Sequence, residues 1–174
     1  QRLFGVRDVT GVEINPIIAH DVMSSEPFKS YSGSIYQQPD VRLVVDEGRS
    51  FIRSSEDSYD IIQATMVDTW AATAAGAISL SENNLYTVEA FKEYVTHLTD
   101  DGVLTMTRWY FEPPDQLLRL ITLTRAMMSE LGIPNPARHI MLVRDARNDY
   151  DRTPATYIFK KTEFTDNEVL SIEA

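Results

Sequence analysis

The stretch YDIIQAT, residues 59–65, is nearly continuously apolar between polar flanks. That is the pattern of a strand buried on both faces, as in parallel sheets covered by helices, rather than of a sheet with one wet side. The chain repeats the arrangement. DVTGVEI (8–14) and VRLVV (41–45) read as strands, and each precedes a helical stretch. The first is PIIAHDVM, where Pro16 suits the first position of a helix, and the second is GRSFIRSS. After the third strand, TVEAFKEYVTHL puts Val88, Phe91, Val95 and Leu98 on one stripe, with Thr87 as N-cap. Asp100-Asp101-Gly102 reads as a turn into VLTMTRWY (103–110). The strongest helix is PDQLLRLITLTRAMMSELG, with Leu117, Leu120, Ile121, Met127, Met128 and Leu131 on one face and Gly132 as its stop. RHIMLV and ATYIFKK follow as strands with no helix between them, and RDARNDYDRTP suits the long loop of an antiparallel hairpin. The sum, βαβαβαβαββ, predicts an α/β fold with a mainly parallel sheet and a C-terminal antiparallel hairpin. Two stretches, 24–40 and 66–84, read as loops, and long loops in compact domains are usually functional or mobile.

Length and charge narrow the function classes. The chain of 174 residues is expected to form a single domain, 1–174, with 43% hydrophobic residues to build its core. A net charge of −10 argues against a nucleic-acid partner, whose phosphates call for clustered Lys and Arg. It suits a cationic small molecule, although a solvated acidic surface is the commoner meaning of such a charge. The lack of cysteine removes disulfides, thiolate nucleophiles and cysteine-based zinc sites, and it fits a cytoplasmic location. No apolar run approaches the ~20 residues of a membrane span, and the N-terminus lacks the layout of a signal peptide. The first residue is not Met, so the chain reads as a fragment of a longer protein.

In open parallel sheets, ligands bind beyond the carboxyl ends of the strands. Those ends carry Glu13 in GVEINP, then Asp46-Glu47-Gly48, then Asp68 after Thr65, then Arg108-Trp109-Tyr110. The carboxylate of Glu13 can accept from two ribose hydroxyls. Asp46 or Glu47 can accept from an adenine amino group, with Gly48 allowing close backbone approach. Asp68 can orient or deprotonate a nucleophile. Acids at such positions also cap the helices that follow, and for any single one the two readings stay open. The glycine-rich turn that normally precedes a ribose-binding acid by about twenty residues is absent from the twelve residues before Glu13. His20, His97 and His139 have no metal-ligand spacing, so no metal is expected. Asp149-Tyr150-Asp151 resembles a DxD motif, but it falls in the hairpin loop and reads as solvated. Trp70, Trp109 and Tyr110 could stack on a ligand or simply pack.

With these residues in place, the chain resembles the catalytic domain of the spermidine synthase family, within the Rossmann-like class I S-adenosylmethionine-dependent methyltransferase fold. GVEINPII is similar to the family strand whose acid holds the ribose of the cofactor, which gives that role to Glu13. VRLVVDEGRSFI is similar to the segment whose acid-Gly pair contacts adenine, here Glu47 and Gly48, with Asp46 beside them. YDIIQATMVD is similar to the third strand and catalytic loop, and NNLYTVEAFKEYVTHLTDDGVL to the helix and strand that follow. The resemblance implies S-adenosylmethionine or its decarboxylated form as a substrate, Asp68 as the catalytic residue, and Tyr86 and Trp109 in the acceptor pocket. The acceptor would be a small molecule such as a polyamine. Two departures stand out. The glycine-rich turn and the first strand are missing, and Thr65 occupies the place of the acid that deprotonates the amine in aminopropyltransferases.

A missing first strand would leave two strand edges unpaired, which is costly and adhesive. The expectation is that these edges close on each other or pair with a second chain, giving a homodimer. Three functions follow in order. The first is a transferase moving a methyl or aminopropyl group, of which this piece alone would bind its nucleoside weakly. The second is a non-catalytic homologue or excised domain acting as a binding or assembly module. The third is a nicotinamide-dependent dehydrogenase, which Glu13 suits and the acid-Gly pair at Glu47 does not.

Overall fold

A computed structural model describes residues 5–67, 84–144 and 153–173. The chain divides into two compact units, Gln1–Ser55 and Glu56–Ala174.

The first unit holds β1 (Val9–Glu13), a π-helix (Ile17–Val22), α1 (Phe28–Tyr31), a 3₁₀ turn (Ile35–Gln37), β2 (Val41–Val45) and α2 (Gly48–Ser54). β1 and β2 run parallel in register from Val9↔Val41 to Glu13↔Val45, where the apolar runs predict strands. A parallel pair cannot be joined by a tight turn. The crossover here uses the π-helix, α1 and the 3₁₀ turn, so the stretch 24–40 is not the plain loop expected. Its helical pieces are only a turn long, too short to show a 3.6-residue period in sequence. Ala19 and Ile52 are the unit's buried apolar residues among those described.

The second unit holds β3 (Tyr59–Thr65), α3 (Val88–Thr96), β4 (Leu98–Tyr110), α4 (Asp115–Leu131), a 3₁₀ turn (Pro136–Arg138), β5 (Ile140–Arg144), β6 (Thr153–Lys160) and α5 (Asp166–Glu173). Its sheet has the order β3-β4-β6-β5. β3 is parallel to β4, while β6 runs antiparallel to both β4 and β5. The C-terminal hairpin is therefore as the sequence predicts. Thr87 caps α3 by accepting from the Ala90 N–H at 3.1 Å, and Gly132 ends α4 with φ +68°.

Among the described residues, no ladder is formed between β1 and β3. β1 and β2 form a sheet of their own, separate from that of β3, β4, β6 and β5. Each strand keeps its sequence neighbour as partner, and the outer sides of β1 and β3 carry no further strand among the described residues.

Asp100-Asp101-Gly102 is not a turn before β4 but an excursion within it. Tyr59 lies opposite Leu98 and Ile61 opposite Val103, so β4 spends five residues where β3 spends two. Glycine is required at the tight point: a Cβ on Gly102 would lie 2.9 Å from the Tyr59 carbonyl oxygen and 3.0 Å from Leu98 Cβ and the Thr99 nitrogen. Lys161 holds the excursion, donating from its backbone N–H to the Gly102 carbonyl (3.1 Å) and from Nζ to the Leu98 carbonyl (2.8 Å). Because backbone cannot yield as a flexible side chain does, Gly102→Ala is expected to destabilise the second unit by about 1–3 kcal/mol. Urea unfolding followed by circular dichroism checks this, and an unchanged midpoint would contradict it.

The core of this unit lies between α3, α4 and one face of the sheet. Alternation along β4 and β6 turns Leu104, Met106, Ala155, Tyr157 and Phe159 inward, against Phe91, Val95, Leu117, Leu120, Met127 and Met128. The helix stripe read from sequence needs one correction. Leu131 is exposed, and the fully buried Thr124 takes a place on the core face of α4. Its hydroxyl donates to the Leu120 carbonyl at 2.8 Å and accepts from the Tyr157 hydroxyl, so no polar atom of the pair is left bare. Burial pushes the Tyr157 hydroxyl well above its usual titration range.

The segment TDNE at 165–168 forms a capping box that opens α5. Thr165 N–H donates to Glu168 Oε2 at 2.8 Å, and the Glu168 N–H returns a bond to Thr165 Oγ1 at 3.3 Å. Lys160, whose side chain is only 9% exposed, donates to Glu168 Oε1 at 2.7 Å and fastens the helix to β6. The Lys160 ammonium and then the Thr165 donors hold the Glu168 carboxyl down at about 2, from an ordinary value of 4.5. A depressed carboxyl stabilises the fold fully above its unfolded value and loses that contribution as pH falls through the folded one. Between pH 4.5 and 2, wild-type stability is expected to fall more steeply than that of Glu168→Gln, as measured by urea unfolding at each pH.

Candidate functional site

The carboxyl ends of β1 and β2 lie side by side, because the parallel register sets Glu13 opposite Val45 and the Asp46 N–H donates to the Glu13 carbonyl at 3.2 Å. This places Glu13 beside Asp46, Glu47 and Gly48 at one strand-end ledge of the first unit. Asn15 shapes the turn after β1. Its N–H donates to Glu13 Oε1 at 2.8 Å, and its Oδ1 accepts from the Ile17 N–H at 3.0 Å, which starts the π-helix. The half-buried Glu13 thus has one oxygen fixed, while Oε2 has no hydrogen-bond partner among the described residues.

Glu47 is placed differently. It is the N-cap of α2: Oε1 accepts from the Arg49 N–H (3.0 Å), and Oε2 accepts from the Ser50 N–H (2.9 Å) and hydroxyl (3.0 Å). Both readings of the acid left open by the sequence therefore bear on one residue, and the capping role is observed. A carboxylate has roughly four lone-pair sites, so Oε1 still has capacity for a ligand donor. Asp46 is exposed, and its Oδ1 accepts from the Glu47 N–H at 2.7 Å. Gly48 is the first residue of α2 and leaves the ledge without a side chain at that point.

Asp68 and Trp70 lie outside the described residues, as does Asp149-Tyr150-Asp151. The approach to Asp68 is visible as far as Val67. Met66 follows β3 with φ +49°, a left-handed conformation that costs a bulky residue about 1–2 kcal/mol, while its N–H continues the ladder to the Thr107 carbonyl at 3.2 Å. Thr65 ends β3 with an exposed side chain.

Tyr86 and Trp109 belong to the second unit. Tyr86 is buried, and its hydroxyl accepts from Arg108 Nη1 at 2.9 Å, with the guanidinium 4.8 Å from the ring centroid. Arg108 Nε donates to Gln116 Oε1 at 2.9 Å, which ties the end of β4 to α4. Trp109, the next residue along the strand, projects to the opposite face from Arg108. Sequence reasoning places Arg108 at a strand end but gives it no role of its own. Its place two residues before the end of β4, between an aromatic and a Gln on the next helix, has no local signature. Tyr110 donates to Glu112 Oε2 at 2.8 Å beneath the Arg144 guanidinium, and that bond to Glu112 raises its hydroxyl above the ordinary value.

The fold has known counterparts. The chain is similar to spermidine synthase from Thermotoga maritima, at 15% identity and a TM-score of 0.57, over 97% of this chain and 52% of that one. It is similar to a spermidine synthase in complex with the transition-state analogue AdoDATO, at 15% identity and a TM-score of 0.60, over 97% and 53%. An rRNA methylase from Streptococcus thermophilus matches at 13% identity and a TM-score of 0.50, over 90% and 74%. The fold is that of spermidine synthases and class I methyltransferases. This Rossmann-like chain spans about half the length of the spermidine synthases that it matches. No family sequence model matches the chain, and no curated protein is similar to it in sequence. Among the described residues, no helix is long and apolar enough to cross a membrane.

Proposed function

We propose that this chain is the nucleoside-binding part of a transferase that uses S-adenosylmethionine or decarboxylated S-adenosylmethionine. The observation that carries the reading is the ledge at the ends of β1 and β2. There Glu13 keeps Oε2 available beside Asp46, the partly satisfied Glu47 and Gly48. Two carboxylate oxygens in one plane fit a ribose diol, and the ledge next to it fits the edge of an adenine. In the transfer, a lone pair of the acceptor attacks the carbon bound to the sulfonium. The carbon–sulfur electrons return to sulfur, leaving a neutral thioether, and the acceptor loses its proton. Positioning supplies most of the rate in such a displacement. Asp68 is assigned to orient the acceptor, and Tyr86 and Trp109 to its pocket. A polyamine is one acceptor of suitable size and charge.

Thr65 favours a second reading. A threonine hydroxyl cannot serve as a base at neutral pH, so a homologue that binds the nucleoside without transferring a group fits that position equally well. Titration calorimetry with S-adenosylmethionine, its decarboxylated form, methylthioadenosine and NAD, on this chain and on forms extended at the N-terminus, separates the readings. Preference for the sulfonium nucleosides and methylthioadenosine over NAD is expected. Binding of NAD alone, or of none of the four by any form, would overturn the proposal. Binding without transfer to any amine would favour the second reading.

A further inference from the structure

We propose that the carboxyl end of β4 holds a carboxylate-binding site built on the guanidiniums of Arg108 and Arg144, and that the acceptor bears a carboxylate there. The assignment to the acceptor rests on the transferase reading; the site itself does not. Strand register brings the two arginines together. Arg108 pairs with Ala155 on β6, and Ala155 pairs in turn with Arg144 on β5. Directly paired residues share a face of a sheet, so both arginines project to the face that also carries Tyr157. From β5, Arg144 reaches across β6. Its Nε donates to Thr153 Oγ1 at 3.0 Å, and its Cζ lies 4.0 Å from the centre of the Tyr110 ring on β4. The guanidinium therefore ends on the residue two places beyond Arg108, where β3 and β4 present their carboxyl termini. Ligands of parallel sheets bind at such ends.

Both guanidiniums are held in place before any ligand arrives. Arg108 lies over the Tyr86 ring and donates to its hydroxyl and to Gln116, as Arg144 lies over Tyr110 and donates to Thr153. Such stacking occupies the flat face of a guanidinium and leaves its N–H edge pointing sideways. That edge receives a carboxylate through two parallel bonds. Elsewhere in the unit, Arg138 meets Glu163 and Asp166, and Lys160 meets Glu168. Arg144 has no acid within ion-pair distance among the described residues.

Charge selects the class of ligand. Glu112 stands at the edge of the cluster, with Oε2 accepting from the Tyr110 hydroxyl at 2.8 Å. Its charge repels a phosphate dianion more than a carboxylate, and the net −10 of the chain acts in the same direction. A single carboxylate is the anion that fits. Among amine acceptors, the site therefore favours one with a carboxylate at its far end over a polyamine. The second ammonium of a polyamine would face two guanidiniums, and like charges set together are strongly disfavoured.

Two probes of equal carbon number, γ-aminobutyrate and putrescine, differ only in carrying a carboxylate or an ammonium at one end. Titrating each into the 174-residue chain while following the arginine Nε–Hε resonances by nuclear magnetic resonance tests the proposal. γ-Aminobutyrate is expected to shift the Arg144 and Arg108 signals, and putrescine to leave them in place. Arg144→Gln, at an exposed position, is expected to weaken γ-aminobutyrate about tenfold or more. Arg144→Lys keeps the charge without the fork and should recover only part of that loss. Glu112→Gln is expected to tighten γ-aminobutyrate about twofold or more. The wild-type shifts carry the test if a variant fails to fold. Shifts with neither probe, equal shifts with putrescine or with chloride at the same concentration, or wild-type affinity in Arg144→Gln would each overturn the proposal. The nucleoside titrations report on Glu13 in the first unit, so failure there and failure here are read separately.

Discussion

Replacing Tyr157 by alanine is expected to destabilise the second unit by about 3–5 kcal/mol, the cost of emptying a fully buried aromatic site. The ring is completely inaccessible and meets Phe91 at 6.4 Å between centroids, tilted by 56°. Neighbours on α3, α4 and β4 are held by the sheet and cannot collapse into the space. At this chain length, the loss corresponds to a drop of roughly 6–20 °C in the midpoint of thermal unfolding. Two milder variants locate the hydrogen bond within this cost. Tyr157→Phe leaves Thr124 still bonded to the Leu120 carbonyl, so only about 1 kcal/mol is lost. Thr124→Val leaves the Tyr157 hydroxyl buried without its partner, and about 1–3 kcal/mol is expected. The diagnostic result is the order of losses, greatest for Tyr157→Ala, smaller for Thr124→Val and least for Tyr157→Phe. Equal effects of the two milder variants would mean that the hydroxyl pair contributes no asymmetry.

Glu13→Gln is expected to weaken binding of S-adenosylmethionine-type nucleosides by about 10- to 100-fold, measured by titration calorimetry. The amide can still accept from the Asn15 N–H through its carbonyl oxygen, so the turn after β1 survives. It then presents an NH₂ donor where the carboxylate offered Oε2 to a ribose hydroxyl. Losing a hydrogen bond to a charged acceptor costs about 1.5–3 kcal/mol, and tenfold in affinity is about 1.4 kcal/mol. Thermal unfolding of the same variant serves as the control. Lost affinity with unchanged stability assigns Glu13 to the ligand, whereas lost stability with unchanged affinity assigns it to the Asn15 turn.

Much of the strand layout is legible because its signal is local. VRLVV and YDIIQAT are short apolar runs between polar flanks, and β2 and β3 occupy them residue for residue. Thr87 and Gly132 carry cap chemistry that needs no tertiary context. Other features depend on partners distant in sequence. Thr124 is polar on an apolar stripe, and only Tyr157, thirty-three residues away, explains its burial. Asp100-Asp101-Gly102 has turn composition, yet the strand continues through it because Lys161 and the Tyr59 carbonyl close around Gly102. The capping box of α5 is readable in TDNE, whereas its anchor on Lys160 is not. At the candidate site, the acids at the ends of β1 and β2 do come together. Whether an acid there caps a helix or faces a ligand is a matter of side-chain torsion, which no residue pattern specifies.

That torsion gives Glu47 a second meaning. Its carboxylate already receives the first amides of α2, so a ligand donor arriving at Oε1 must share the oxygen with the Arg49 N–H. Occupancy of the ledge and fraying of α2 are then linked equilibria, each biasing the other by the same free energy. A change in hydrogen exchange at Arg49 and Ser50 would report a bound nucleoside without any label on the ligand. The same linkage explains why Glu47→Ala would be a poor probe of recognition: it would unfasten the helix and empty the ledge in one stroke.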